Sequence, residues 1–287
     1  MPAFPDFRWG ARTYVMGILN VTPDSFSGDA LGADVGAALR QAETMAEAGA
    51  DILDVGGEST RPGASEVPLE EELGRVVPVV RALAQRFELP ISVDTTKAAV
   101  ARRALGVGAT IVNDVWAMRR DRAMPGVVAE AGAWVVLMHN RQAPAAVDDV
   151  GGHYAEVRYA DVVAEVMGWL AEAVRLAEST GVERGRIIVD PGLGFGKTYS
   201  QSLEVIRRLP ELQSLGLPIL VGASRKSFTG RALRLPVDQR LETSLAAMVL
   251  CIAGGADIVR VHDVGPAVRA ARMADEIIRE GRVKGEE

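Results

Sequence analysis

Cysteine is almost missing from this sequence: Cys251 is the only one in 287 residues. A lone thiol excludes an internal disulfide and fits a reducing compartment. Its setting, Ala246-Ala247-Met248-Val249-Leu250-Cys251-Ile252, is that of a small core residue. Histidine is nearly as scarce, with three in the chain. No Cys/His cluster has zinc spacing, and no Ser-His-Asp arrangement can be argued from residue order. No apolar run approaches the roughly 20 residues of a membrane span. An excess of positive charge is absent too: the net charge is -6 and the pI about 5.3. That balance argues against a general binder of nucleic acid or of membrane surfaces, so an anionic ligand must be held by local basic groups. The segment Met1–Arg8 lacks the basic-then-apolar pattern of a signal peptide, and a cytoplasmic protein is expected.

What is present is an ordinary globular composition, 48% hydrophobic and 24% charged. Short β-branched apolar runs recur at Tyr14–Asn20, Asp51–Gly56, Ile91–Asp94, Thr110–Asp114, Trp134–His139, Ile187–Asp190, Ile219–Gly222 and Ile258–His262. They are nearly continuous rather than alternating, which suits parallel strands covered on both faces. Helical periodicity fills the intervals, at Asp34–Ala48, Leu69–Phe87 and Ala155–Thr180, and Pro266 suits the first turn of a last helix. Eight such strand–helix units in about 250 residues predict a single-domain α/β (β/α)8 TIM barrel; a doubly wound open sheet is the alternative. The barrel is expected over residues 14–280, after an N-terminal segment 1–13 and before a frayed tail at 281–287. Asn140–Gly152 reads as a loop.

The scarce polar residues fall in a pattern. The chain has three asparagines, Asn20, Asn113 and Asn140, and each lies at or just past the C-terminal end of a predicted strand. So do His139, His262, Lys197, Lys226, Asp54, Asp94, Asp114, Asp190 and Asp263. Turn chemistry alone favours Asn and Asp at strand ends, but it does not bring lysine and histidine there. In a barrel these ends share one face, where barrel enzymes place their chemistry.

Several strings carry specific possibilities. Asp190-Pro191-Gly192-Leu193-Gly194-Phe195-Gly196-Lys197-Thr198 resembles a phosphate loop but fails as one, because Pro191 stands where a Walker A glycine is required. Its glycines instead allow backbone to approach a ligand beside Asp190 and Phe195, a pairing suited to a flat heterocycle with adjacent N–H donors. Ser224-Arg225-Lys226-Ser227 and Arg260-Val261-His262-Asp263 follow strands seven and eight, where barrels commonly hold phosphate. Arg260 and His262 alternate with Val261 and project to one side, as a phosphate clamp. A rim salt bridge is the other reading of Arg225. Gly56-Gly57-Glu58-Ser59-Thr60-Arg61-Pro62-Gly63 suggests a loop that brings Thr60 and Arg61 over a ligand.

Met16-Gly17-Ile18-Leu19-Asn20-Val21-Thr22-Pro23-Asp24-Ser25-Phe26-Ser27 resembles the opening signature of the dihydropteroate synthases, and Asp54 to Gly63 resembles their second. Ser92-Val93-Asp94-Thr95, Asn113-Asp114, Leu137-Met138-His139, Asp190 to Thr198, Gly222 to Ser227 and Arg260 to Val264 extend the likeness, in order, from about Tyr14 to Glu276. The resemblance implies joining of (7,8-dihydropterin-6-yl)methyl diphosphate to p-aminobenzoate, with release of diphosphate, in folate biosynthesis. It implies that Asp94, Asn113, Asp190 and Lys226 line a pterin pocket flanked by Met138 and Phe195. Asn20 would contact Mg²⁺ and the diphosphate, with Arg260, His262 and Thr60 as further anion or pterin contacts. Arg61, Pro62, Lys226 and Ser227 would surround p-aminobenzoate, with Arg225 beside them. Catalytic roles would fall to Asp94, Asp190, Lys226, Arg260 and His262, and a homodimer is implied.

Three departures from the family pattern stand out: Gly28-Asp29-Ala30 displaces a loop carboxylate by one residue, Asn140-Arg141-Gln142 follows Met-His, and Gln201-Ser202 replaces a usual asparagine. They keep alive a catalytically silent pterin-binding paralogue. A methyltetrahydrofolate:corrinoid methyltransferase would share the barrel but has no need of an anion clamp.

Overall fold

The apolar runs do form parallel strands. The computed structural model describes residues 6–21, 34–59, 66–141, 146–148, 150–154 and 157–279. In chain order the elements are β1 (Tyr14–Asn20), α1 (Val35–Glu47), β2 (Ile52–Gly56), α2 (Leu69–Arg86), β3 (Ile91–Asp94), α3 (Ala98–Leu105), β4 (Ile111–Asp114), α4 (Met124–Ala131) and β5 (Trp134–Met138). There follow a hairpin, β6 (Ala146–Asp148) and β7 (Gly151–His153), then α5 (Val162–Ser179), β8 (Ile187–Asp190), α6 (Tyr199–Arg207), β9 (Leu220–Val221), α7 (Ser227–Arg231), α8 (Leu241–Ala253), β10 (Ile258–Val261) and α9 (Val264–Ile278).

The eight-stranded parallel sheet runs β8-β5-β4-β3-β2-β1-β10-β9. A parallel bridge between Val189 and Ile219 joins its two ends, and the Val189 N–H donates to the Pro218 carbonyl at 2.9 Å. The sheet therefore curls into the (β/α)8 barrel that the strand–helix alternation predicts. The larger apolar core lies between the sheet and its surrounding helices, through residues such as Leu19, Leu53, Val93, Leu137, Leu170 and Val259. A second core fills the barrel interior: Tyr14, Met16, Ile52, Ile111, Trp134, Val136, Ile188, Leu220 and Ile258.

Phe7 and Trp9 pack against this inner core. The Phe7 ring stacks on Trp9 at 4.6 Å and meets Tyr14 and Trp134 edge-on at 5.0 and 5.2 Å. Each such pair contributes roughly 0.5–1.5 kcal/mol beyond its buried area. Thr13 fastens the segment to α9 by donating from N and Oγ1 to Asp275 at 2.8 and 2.7 Å. Residues 6–13 are thus the stopper of the barrel, not an appendage to it.

Two elements differ from the sequence-based expectation. The hairpin β6–β7 occupies the expected loop Asn140–Gly152 and extends one residue past it, unseen because strands of three residues, one of them Gly-Gly-His, are too short to carry a period-2 signal. Helix α5 begins at Val162 rather than Ala155. Asp161 caps it, accepting from the N–H groups of Val163 and Ala164 at 2.9 and 3.0 Å.

Candidate active site

Side chains alternate along a strand, so residues two apart share a face. In β2, β4, β5, β8 and β10 the inner-core residues Ile52, Ile111, Val136, Ile188 and Ile258 are followed two positions on by Asp54, Asn113, Met138, Asp190 and Arg260. One pleat separates an apolar interior from a polar one. The strand register sets the neighbours: Asp54 lies beside Ser92, Gly56 beside Asp94, Asp94 beside Asn113, and Met138 beside Asp190.

These side chains form a connected network. Arg260 donates from Nε to Asp54 Oδ2 at 2.6 Å and from Nη2 to Asp94 Oδ2 at 2.7 Å. Asn113 Nδ2 donates to the same Asp54 oxygen at 3.3 Å. Asp54, Ser92, Asp94 and Asn113 are all buried, and Asp54 Oδ1, Ser92 Oγ and Asp94 Oδ1 meet no hydrogen-bond partner. Buried acceptors left open in this way are receptive to a ligand that brings N–H groups. Burial pushes Asp94 up to about 7 against the opposing pull of Arg260.

Asp190 faces this network from β8. Its Oδ1 accepts the Gly192 N–H at 2.7 Å, and burial raises its pKa against the pull of Lys226. Gly192 has φ +67°, and a Cβ there would lie 2.0 Å from the His139 carbonyl oxygen, so only glycine closes this turn. Lys226 Nζ donates to the Leu193 carbonyl at 2.6 Å and sits 4.6 Å from the centre of the Phe195 ring. Burial brings the Lys226 ammonium down to about 8. At the end of β1, Asn20 Oδ1 and Asp94 Oδ2 each lie 3.8 Å from the point a Cβ on Gly56 would occupy. Gly56 thus borders both oxygens.

The rim residues meet different fates. Arg225, expected to bind substrate, donates to Asp263 from Nε at 2.9 Å and from Nη2 at 2.5 Å, a salt bridge on the rim. His262 is joined to Ser224, Nδ1 to Oγ at 3.0 Å, and Ser227 Oγ donates to the Gly152 carbonyl of the hairpin at 2.6 Å. His139 and Lys197 belong to the strand-end pattern but not to the pocket. His139 follows inward-facing Met138 and so points outward, edge-on to Trp169 at 5.0 Å. Lys197 Nζ lies 2.8 Å from His139 Nδ1 and donates to the carbonyls of Gly192 and Phe195 at 3.0 and 3.1 Å. This buried pair staples the Asp190 loop; it gathers at the strand ends for a structural reason.

With this geometry in place, comparison with known proteins is specific. Residues 16–262 match the pterin binding enzyme family. A dihydropteroate synthase of Clostridium beijerinckii is 45% identical over 275 residues, covering 96% of this chain and 97% of the relative. The chain belongs to the dihydropteroate synthases. A solved dihydropteroate synthase of Clostridium difficile, crystallised with pteroic acid, superposes with a TM-score of 0.88 at 47% identity, over 96% of this chain and 100% of that one. A Xanthomonas albilineans dihydropteroate synthase with 4-aminobenzoic acid gives a TM-score of 0.84 at 43% identity, covering 93% of each chain.

Among the residues that family membership brings into view, Asn20, Asp94, Asn113, Met138, Asp190, Phe195, Lys226 and Arg260 line one barrel mouth, with His262 and Ser227 on its rim. Thr60, Arg61 and Pro62, like Asp29, lie outside the described residues. Asp54 was counted among the strand-end carboxylates but given no role, and Ser92 was left out of the sequence-based site. The signal for Asp54 was available, since it stands two positions beyond inward-facing Ile52, but its partner Arg260 is 206 residues away. Ser92 had no such signal: a serine within a strand is unremarkable until three carboxylate and hydroxyl oxygens are seen without partners.

Proposed function

We propose that this protein condenses (7,8-dihydropterin-6-yl)methyl diphosphate with p-aminobenzoate, giving 7,8-dihydropteroate and diphosphate in folate biosynthesis. The observation that carries the reading is the set of buried carboxylates with open oxygens one pleat above a sealed barrel floor. A pterin ring presents adjacent N–H donors on one edge, and Asp94, Asp190 and Asn113 offer it acceptors and a donor in a dry site. Met138 and Phe195 supply apolar walls for the ring. The Lys226 ammonium, beside Phe195 and opposite Asp190, borders the reacting end.

In the reaction the arylamine nitrogen attacks the exocyclic methylene carbon. The C–O bond breaks, and its electron pair leaves with diphosphate. Positive charge grows on the pterin as the bond breaks, and Asp94 and Asp190 place negative charge beside it. The arylamine is already neutral at pH 7, so no strong general base is required to free its lone pair, and the proton it sheds once the C–N bond has formed passes to water or to the departing diphosphate.

Magnesium is part of this proposal. Among the described residues no group of three His, Cys, Asp or Glu side chains could hold a metal, whereas the Asn20 amide oxygen and Asp94 both border Gly56 at the end of β2. One protein oxygen suits an ion that takes its other ligands from diphosphate and water. When bound, the ion would neutralise charge on the leaving group, while Asn20 orients it and His262, steadied by Ser224, faces the same anion. A homodimer and a cytoplasmic location complete the reading. Leu250 on α8 and Met273 and Ile277 on α9, each more than 60% exposed, offer an apolar face to a second copy. No described helix is long and apolar enough to cross a membrane.

A coupled diphosphate-release assay tests the whole reading. Release is expected only with the pterin diphosphate, p-aminobenzoate and Mg²⁺ together. Thermal stabilisation by the pterin diphosphate without release would make the protein a silent binder instead.

A further inference from the structure

The geometry points to Arg240 as a positioning residue that holds chiefly the arylamine side of the site in its working shape. Arg240 stands immediately before α8 and is 4% exposed. No carboxylate among the described residues pairs with it. Its guanidinium is spent on backbone carbonyls: Nε and Nη2 donate to Leu235 at 3.0 and 2.9 Å, Nη1 to Arg225 at 3.0 Å, and Nη2 to Val150 at 2.6 Å. A buried cation with no counter-ion is costly, so the segments it joins merit notice. They are the hairpin turn between β6 and β7, the segment Arg225-Lys226-Ser227, and the chain after α7.

The first turn of α8 grips Arg225 from both sides. Ser244 Oγ accepts the Arg225 N–H at 2.9 Å, while Arg240 donates to the Arg225 carbonyl. This clamp holds Arg225 at φ +56°, a left-handed conformation that a non-glycine residue adopts at a cost. The conformation of Arg225 sets the direction in which Lys226 and Ser227 leave. Ser227 Oγ then donates to Gly152, so the hairpin is tied to the same segment twice, once directly and once through Arg240. Room for the guanidinium is made by Gly230 in α7, where a Cβ would lie 2.3 Å from Arg240 Nε and 2.8 Å from the Leu235 oxygen.

Only a planar fork reaches three carbonyls in different directions at once; a lysine ammonium in the same volume cannot. The carboxylates of the pterin pocket depend on strand register and on Arg260, and none of them touches Arg240. The consequence is a split between the two substrates. It rests on the proposed placement of p-aminobenzoate beside Ser227.

Arg240→Lys should raise KM for p-aminobenzoate about tenfold or more, as two or more carbonyl bonds are lost, with a clearly smaller rise, about threefold or less, in KM for the pterin diphosphate. Gly230→Ala, which displaces the guanidinium and the Leu235 carbonyl it bonds without removing either, should show the same split. Stabilisation by pterin diphosphate with Mg²⁺ in a thermal-shift assay checks that the pocket of each variant is intact. Equal rises in both KM values, no rise in either, or loss of folding in both variants would overturn the assignment and leave Arg240 a general structural residue. A wild-type protein that releases no diphosphate on addition of p-aminobenzoate would instead sink the proposed function, so the two failures are distinct.

Discussion

The floor of the barrel and the layer one pleat above it are built on the same strands, yet they are chemically opposite. The floor is Met16, Ile52, Ile111, Val136, Ile188 and Ile258 under an aromatic stopper. The layer above is Asp54, Asp94, Asn113 and Asp190, buried as well but with open oxygens, joined by the partly buried Arg260. The floor gains free energy from the removal of apolar surface from water. The upper layer gives some of that gain back by burying carboxylates, and Asp94 at about 7 records the cost. Stability and chemistry are therefore separated by roughly 7 Å of strand.

The sharpest way to break this division is Arg260→Ala. If the upper layer served function alone, the variant would stay stable. Because it strips the partner from two buried carboxylates, unfolding in denaturant at pH 7 should show a loss of about 3–5 kcal/mol. Pterin and its diphosphate ester should lose affinity together, since the guanidinium shapes the pocket through Asp54 and Asp94. A loss confined to the ester would return Arg260 to the role of an anion clamp suggested by its sequence position.

Asp190→Asn probes the same layer without orphaning an ion pair. It turns an acceptor that would face N–H groups into a partial donor. A fall in kcat/KM of at least about a hundredfold is expected, together with loss of thermal stabilisation by the pterin diphosphate. Unchanged pterin affinity would remove Asp190 from the site. On the floor the pattern should invert. Phe7→Ala should cost about 2 kcal/mol in a denaturant titration, because the ring is half-buried and makes edge contacts, while KM for both substrates stays put. A changed KM would show that the stopper reaches the mouth.

The difference between the two layers also explains what could be seen in the sequence. The strands Tyr14–Asn20, Ile91–Asp94 and Ile187–Asp190 have the boundaries that their apolar runs suggest, because burial on both faces leaves an unbroken signal. The gathering of scarce polar residues at strand ends located the mouth, since in a parallel barrel every strand end points one way. What remained hidden was partnership. Whether Lys197 or Lys226 enters the pocket depends on side-chain direction in two different loops, which composition does not encode. Arg260 was read as an anion or pterin contact because a phosphate clamp is a local idea, whereas its bonds to Asp54 and Asp94 reach across to β2 and β3. The hairpin and the fork of Arg240 are likewise tertiary: three-residue strands and a lone arginine before a helix carry no pattern until they meet.

The two buried lysines allow the finest test. Burial lowers Lys197 from its ordinary value near 10.5 to about 7 and Lys226 to about 8. A lysine whose folded value is depressed binds its proton more weakly in the folded chain than in the unfolded one. Between about 7 and 10.5 the unfolded state therefore holds more protons, and stability rises with pH across that window and is lost as pH falls through the folded value. Lys197→Met should remove the larger share of this rise and leave a weaker one, beginning near pH 8, from Lys226. It should also raise KM for the pterin diphosphate modestly, because the Gly192 and Phe195 carbonyls lose their common donor and the Asp190 loop slackens. Denaturant unfolding at intervals from pH 6.5 to 9.5 reads the slope. An unchanged slope in the variant would mean that Lys197 keeps its proton in the fold, with His139 Nδ1 accepting from an ammonium throughout.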